Sequence, residues 1–266
     1  QGVPGPYPDH IVFINSLQHT ISKPYFAQLG KSYDNTVIYN TTDCRISSYD
    51  DLDCNHRDVK QFKDDFCVDT RSTLFCLQHT RIVARKRIDV ALRFFFELVH
   101  QSTYDKGYFF ISGYSVDSKK SLLGLHGKLS SKYDKPVELV FAQDHQTDLS
   151  FAQSTYIFAS LGGISTYFSQ VEGFGNNLLE VMASGLIPIV YRYPVFKKDI
   201  DPLGFKLIAS DNLTISQNLI EQTLNIMCHP AIRASWINHN IAVLLDHVSH
   251  KSMVRPLSRV LETIGQ

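Results

Sequence analysis

Between Thr73 and Ala209 the sequence alternates short apolar runs with longer amphipathic stretches, and this alternation constrains the fold more than any other feature. Thr73–Gln78, Tyr108–Ser112, Val137–Phe141, Thr155–Ala159, Ile187–Tyr191 and Lys206–Ala209 read as strands bounded by turn residues. Asp89–His100 repeats Val90, Ala91, Phe94, Phe95, Leu98 and Val99 at helical spacing, and Lys119–Lys132 does so with Leu122, Leu123, Leu125 and Leu129. A short helix is predicted over Thr147–Gln153, another over Asn177–Ser184 with Gly185 as its stop, and helices throughout from about Ser216. Strands joined by helical crossovers must lie parallel, with helices covering both faces. The predicted class is therefore α/β, a doubly wound parallel sheet, and ligands of such sheets sit beyond the carboxyl ends of the strands.

Ahead of this region, His10–Asn15, Lys23–Leu29 with Gly30 as its stop, and Thr36–Tyr39 read as a strand, a helix and a strand. Asp43–Arg71 is polar and without sustained periodicity, which predicts a linker or irregular excursion, residues 46–72 forming the boundary. Lysine plus arginine equals aspartate plus glutamate at 26 each, so no bulk charge draws the chain to nucleic acid. No apolar run reaches the roughly 18 residues of a spanning helix, and the first ten residues lack the order of a signal peptide. A soluble cytoplasmic chain is the expectation. Five cysteines without a C-x-x-C pair read as free thiols, with a zinc site built from Cys44, Cys54, Cys67 and Cys76 plus His56 or His79 as the alternative.

Two loops after predicted strands carry chemistry. Thr80–Arg87 (TRIVARKR) crowds Arg81, Arg85, Lys86 and Arg87 at a helix start, where like charges and the helix dipole repel one another unless an anion binds. A solvated basic turn is the bland alternative. The second loop, Val171 to Glu180, holds Gly173 and Gly175, which allow close backbone approach, and offers the Asn176, Asn177 and Leu178 N–H groups as an anion site at a helix start. Glu172 and Glu180 flank that turn and can each accept hydrogen bonds from hydroxyl groups. Asn177-x-x-Glu180 also reads as a capping box that needs no ligand.

VEGFGNNLLEVMASGLIPIV resembles the E-G-F-G-x-x-x-x-E signature of retaining glycosyltransferases of the GT-B fold, family 4-like (glycosyl transferases group 1), with the Glu172-x7-Glu180 spacing intact. TRIVARK resembles that group's G-R-x-x-x-x-K loop, and VIYNTTD (Val37–Asp43) resembles its V-I-x-N-G-V-D hinge segment. The resemblance implies a Rossmann-like donor domain over residues 73–250, a βαβ remnant of an acceptor-side domain over 1–45, and a C-terminal helix over 251–266 crossing back to it. It implies transfer of a sugar from a nucleotide-diphosphate sugar, such as a UDP- or GDP-sugar, with retention of anomeric configuration and without a metal or other cofactor. Arg81 and Lys86 would hold the diphosphate, and Glu172 would contact the transferred sugar. Glu180 would bind the ribose hydroxyls, while the backbone of Gly173, Phe174, Gly175, Asn176, Asn177 and Leu178 grips sugar and phosphate. Gln143 would meet the nucleobase, and the leaving phosphate would help deprotonate an acceptor glycan, lipid or protein.

Against the group's pattern, Thr80 and Arg87 replace glycines, and Leu161–Gln170 is expected as an insertion of about ten residues before Glu172. A complete GT-B enzyme has two such domains and roughly 350 to 400 residues. The expected readings are a donor half of a longer enzyme, an enzyme split from a separate acceptor-domain polypeptide, or a non-catalytic module that binds nucleotide sugar. Attachment at a membrane would come through the missing portion. A dinucleotide-dependent dehydrogenase is disfavoured, because no G-x-G-x-x-G follows the first strand of the main domain.

Overall fold

The computed structural model describes residues 10–28, 34–114, 119–145 and 150–264. Gly30 and residues 147–149, expected to end one helix and open another, lie outside the described residues. A small unit comes first: β1 (His10–Phe13) and β2 (Asp34–Val37) pair in parallel, with α1 (Ser16–Gln28) between them. The helix starts earlier than its periodicity suggests because the Asn15 side chain accepts from the Gln18 N–H at 2.6 Å, capping it from the strand end.

The main unit is the predicted doubly wound α/β domain. Its elements are β3 (Thr73–Gln78), α3 (Ile88–Gln101), β4 (Lys106–Ile111), α4 (Lys120–Ser130), β5 (Val137–Phe141), α5 (Phe151–Ser160), β6 (Ile164–Tyr167), α6 (Asn176–Ala183), β7 (Ile187–Tyr191) and β8 (Ile208–Ser210). Preceding them is α2 (Arg57–Asp65), and following them are α7 (Gln217–Cys228), α8 (Pro230–His247) and α9 (His250–Ile264). Six strands pair in parallel in the order β5-β4-β3-β6-β7-β8. The chain builds outward from β3 in one direction, returns, and continues from β6 in the other, so the crevice between the ends of β3 and β6 is the topological switch point.

Both faces of this sheet are covered, which is why every residue of β3 is buried. The pleat sends Leu74 and Cys76 into a core with α3, α4 and α7, and Phe75 and Leu77 into a second core with α2, α5 and α6. Ring pairs such as Phe62 with Phe158, 5.5 Å apart and edge-on, fill the second core.

Three local expectations are corrected. Residues 43–71 are not irregular throughout: they hold a 3-10 turn at Tyr49–Asp51 and the helix α2. Its Val59 and Phe62 are fully buried, each supplying about 1.5–3 kcal/mol of transfer free energy that sequence polarity concealed. Thr155–Ala159 is helical, not extended. Ser150 and Gln153 close a reciprocal capping box that starts α5, and packing of Ile157 and Phe158 overrides the strand preference of β-branched and aromatic residues. Leu161–Gln170 is not an insertion but contains β6. The turn into β6 uses Gly162 at φ +75° and Gly163, where a Cβ would come within 2.9 Å of the Phe158 carbonyl.

The small unit docks through a buried carboxylate. Asp199, in a single π-helical turn at Phe196–Ile200, accepts from the Ser16 N–H at 3.1 Å, the Ser16 hydroxyl, and the Tyr39 hydroxyl at 3.1 Å. Thr42 N–H bonds to Val248 O at 2.9 Å, and His250 pairs with Asp43 at 2.8 Å, so α9 begins beside the segment joining the two units. Among the described residues, no helix is long and apolar enough to cross a membrane.

Candidate active site at the switch point

The loop after β3 and the loop after β6 meet. Residues 81–87 leave β3 and tighten into a 3-10 turn at Ala84–Lys86, and Arg87 adopts left-handed geometry at φ 48° to open α3. Gly113 holds this loop down: a Cβ there would lie 2.0 Å from the Thr80 carbonyl, and Ile82 N–H bonds to Tyr114 O at 3.0 Å. From the other side, Gln170 N–H donates to Arg85 O at 2.9 Å.

Glu172 is the centre of the contact. Its side chain is 9% exposed and accepts from Lys86 Nζ, 5% exposed, and from Arg85 Nη1 at 3.2 Å. Arg85 also donates to the Val171 carbonyl at 2.6 Å, and the Lys86 ammonium lies 5.2 Å from the centre of the Tyr167 ring. Burial pushes the Glu172 carboxyl up, but the Lys86 hydrogen bond and charge outweigh it and hold the group below its usual range. Burial lowers Lys86, Glu172 pulls it back, and the Arg85 and Arg81 charges lower it further. Burial raises the Tyr167 hydroxyl well above its usual range, with the Tyr193 and Glu172 charges adding to it.

The glycine-flanked turn is built for close approach at only one of its two glycines. Gly175 has φ +124° and a Cβ there would lie 2.2 Å from the Tyr193 hydroxyl, which donates to Phe174 O at 2.7 Å. A Cβ at Gly173 would meet nothing nearer than Ile14 Cδ1, at 3.5 Å. Phe174 is buried and stacks on Tyr39 with centroids 5.1 Å apart, while Asn15 Nδ2 donates to Gly173 O at 2.6 Å.

Gly175, not Asn177, is the N-cap of α6, and it makes no side-chain cap bond, so the Asn177–Glu180 capping box does not form. Leu178 N–H already donates to Gly175 O at 2.9 Å, which removes it from the predicted anion site. Asn176 and Asn177 keep the N–H groups that a helix start leaves without helical acceptors. Asn40 Nδ2 donates to the Asn176 side chain at 2.7 Å. Glu180, half-buried one turn in, accepts from His79 Nε2 at 3.1 Å, and that bond holds its carboxyl low against the opposing effect of burial, with Arg45 adding charge.

Besides a space of about 590 Å³ beside Ala84, Arg85, Ser121 and Gln170, two cavities open at this end of the sheet. One of about 730 Å³ lies between the small unit and the Glu172 loop, walled by Ile11, Phe13, Asn15, Arg85, Glu172 and Gly173. The other, about 630 Å³, is walled by Arg45, His79, Ser150, Thr155, Asn177 and Glu180. Arg81 is exposed at the outer end of its loop, and Gln143 sits on the 3-10 turn after β5, in the wall of neither. Arg87 turns to Asp89 at 2.9 Å. Tyr167 and Tyr193 carry no role in the sequence reading, and His79 enters it only as an alternative zinc ligand. Arg85 was visible within the basic run, but nothing local marks the others. Among the described residues no group of three or more His, Cys, Asp or Glu side chains is placed to hold a metal ion. The five cysteines are free.

No family model matches the chain. It is 29% identical over 215 residues to a mannosylglucosylglycerate synthase of Petrotoga mobilis, covering 75% of this chain and 47% of that protein. The enzyme of the same name from Thermotoga maritima is 25% identical over 209 residues, with 70% and 48% covered. Among solved structures, a glycosyltransferase from Rickettsia africae superposes with a TM-score of 0.69 at 14% identity over 97% of this chain and 64% of that one. Anabaena HepE in complex with UDP and glucose gives 0.65 at 12% identity over 96% and 63%. The fold is that of one half of the GT-B glycosyltransferase structures on which the chain superposes, and in sequence the chain is similar to the two mannosylglucosylglycerate synthases. It spans about half the length of the relatives it matches.

Proposed function

We propose that the chain is the donor-binding half of a hexosyltransferase that takes a sugar from a nucleoside-diphosphate donor and transfers it with retention of configuration. The observation that carries this reading is the Glu172 cluster, in which one carboxylate ties together the basic loop after β3 and the glycine turn after β6 at the switch point. Residues 73–250 are the donor domain in this reading, residues 1–45 belong to the acceptor side, and α9 (His250–Ile264) is the helix that crosses back to it.

The donor's diphosphate takes over the cations that Glu172 neutralises in the free chain. Lys86 and Arg81, with Arg85 beside them, offset the charge that grows on the leaving phosphate as the sugar C1–oxygen bond breaks. The Asn176 and Asn177 N–H groups add the partial positive charge of the α6 start. Freed from Lys86, Glu172 accepts hydrogen bonds from the sugar, and Glu180 does the same for the ribose. The acceptor hydroxyl attacks from the face the phosphate leaves, and its proton passes to that phosphate, so no protein base is needed. UDP bound to HepE supports a nucleotide of this type.

A thermal-shift screen of UDP, GDP and ADP tests the binding step, and a transfer assay with the acceptor half present tests the chemistry. Glu172→Gln is expected to abolish transfer while nucleotide binding survives. Transfer by that variant at the native rate refutes the assignment.

A further inference from the structure

Glu180 is not an isolated carboxylate. His79, the residue after β3, is 2% exposed at its side chain, and its ring sits between two polar groups: Ser112 Oγ at 2.9 Å from Nδ1 and Glu180 Oε2 at 3.1 Å from Nε2. An ionised carboxylate only accepts, so Nε2 carries the proton; in the neutral ring Nδ1 then accepts from the Ser112 hydroxyl. With Nε2–H donating to it, Oε2 of Glu180 is clamped by a ring that Ser112 holds from its other side. His79, Glu180, Asn177 and Thr155 all line the same 630 Å³ cavity, so the clamp fixes the carboxylate at the wall of a space large enough for a nucleoside.

We propose that His79 is the positioning residue for Glu180, holding one carboxylate oxygen so that the other is presented to the vicinal hydroxyls of a bound ribose, with Ser112 anchoring the ring at Nδ1. This rests on the nucleotide-binding reading above. A carboxylate held in this way loses little freedom when a diol binds, whereas a free half-exposed glutamate must first be ordered. His79 therefore acts on the ribose term of the affinity and not on the diphosphate term, which the Lys86 loop supplies.

The test compares binding of UDP and GDP with their 2′,3′-dideoxy forms by titration calorimetry, in the native chain and in His79→Leu and Ser112→Ala. In the native chain the ribonucleotide that binds is expected to exceed its dideoxy form by at least about tenfold, the value of a hydrogen bond to a charged group. In both variants that ratio falls to within about twofold while affinity for the dideoxy form is unchanged, an outcome a packing defect does not produce. An undiminished ratio in either folded variant overturns the role of His79, as does equal weakening of both nucleotides. Absence of binding by the native chain to both UDP and GDP instead removes the nucleotide reading on which the inference stands. Two variants are measured so that misfolding of one leaves the other to decide.

Discussion

Replacing Glu172 by Gln removes one charge from a nearly buried cluster and keeps the shape, which isolates the electrostatic part of the site. At roughly 3 Å and an effective dielectric of about 20, the Lys86–Glu172 attraction is about 5 kcal/mol before desolvation. Breaking a buried pair from one side costs about 3–5 kcal/mol, and Gln retains an acceptor, so a loss near 3 kcal/mol is the working figure. For a chain of this size each kcal/mol moves Tm by about 2–4 °C, which gives a drop of roughly 6–12 °C. The same substitution leaves Lys86 and Arg85 without their counter-charge, so inorganic pyrophosphate no longer competes with a carboxylate. If binding tightens tenfold, pyrophosphate at the native Kd adds about 1 kcal/mol more stabilisation to the variant, another ~2–4 °C. Differential scanning fluorimetry with and without pyrophosphate reads both effects. A variant that melts within a degree of the native chain, or gains no more from pyrophosphate than the native chain does, refutes the claim that Glu172 neutralises the anion-binding cations.

Gly175→Ala places a Cβ against the Tyr193 hydroxyl at a φ of +124°, so backbone strain and loss of the Tyr193–Phe174 bond should together cost about 2–4 kcal/mol in urea unfolding. Gly173→Ala, whose Cβ meets Ile14 at ordinary contact distance, should stay within about 1 kcal/mol of native, and equal losses at both glycines contradict the geometry. Glu172 and Glu180 are both held below their usual range, so their contribution is complete above the unfolded value of about 4.3 and is lost as pH falls through the lower folded values. Native Tm should therefore decline more steeply than that of Glu172→Gln from about pH 5 downward, and parallel acid limbs would exclude the carboxylate's part in it. Asp199→Ala strands the Ser16 amide and the Tyr39 hydroxyl, and hydrogen exchange at the first turn of α1 should accelerate by about tenfold or more. Unchanged exchange there would show that the small unit is held by other contacts.

The legibility of the sequence followed the strength of its local signals. Thr73–Gln78, Val137–Phe141 and Ile187–Tyr191 are strands at the residues expected, because each is an apolar run closed by turn residues. Where local preference and tertiary packing disagree, the reading failed: TYIFA is rich in strand formers yet lies in α5, since only a helix there buries Ile157 and Phe158 under β3. That error concealed β6, whose four residues ISTY carry no periodicity of their own, and turned a central strand into an apparent insertion. At the site, spacing alone placed a lysine and a glutamate on two loops that the structure joins. It could not reveal the Arg85 bridge, the buried His79 or Tyr193, because each depends on which strand lies next to which.

The topology explains why one turn answers to both units. β3 and β6 are adjacent although 85 residues lie between the end of the first and the start of the second, so their loops share the crevice, and the basic run after one meets the turn after the other. To this the small unit adds Asn15 on the Gly173 carbonyl and, through the chain that follows it, Tyr39 on the Phe174 ring and Asn40 on the Asn176 side chain. Each such contact is worth only about 1 kcal/mol, and they add to the Asp199 bonds through which the small unit docks. The main domain supplies the opposing grip, since Tyr193 holds Phe174 from below and Lys86 and Arg85 hold Glu172 from the side. The turn that carries Glu172 is therefore gripped through its backbone by both units, the Gly173 carbonyl by Asn15 and the Phe174 carbonyl by Tyr193, with Lys86 and Arg85 on the carboxylate itself.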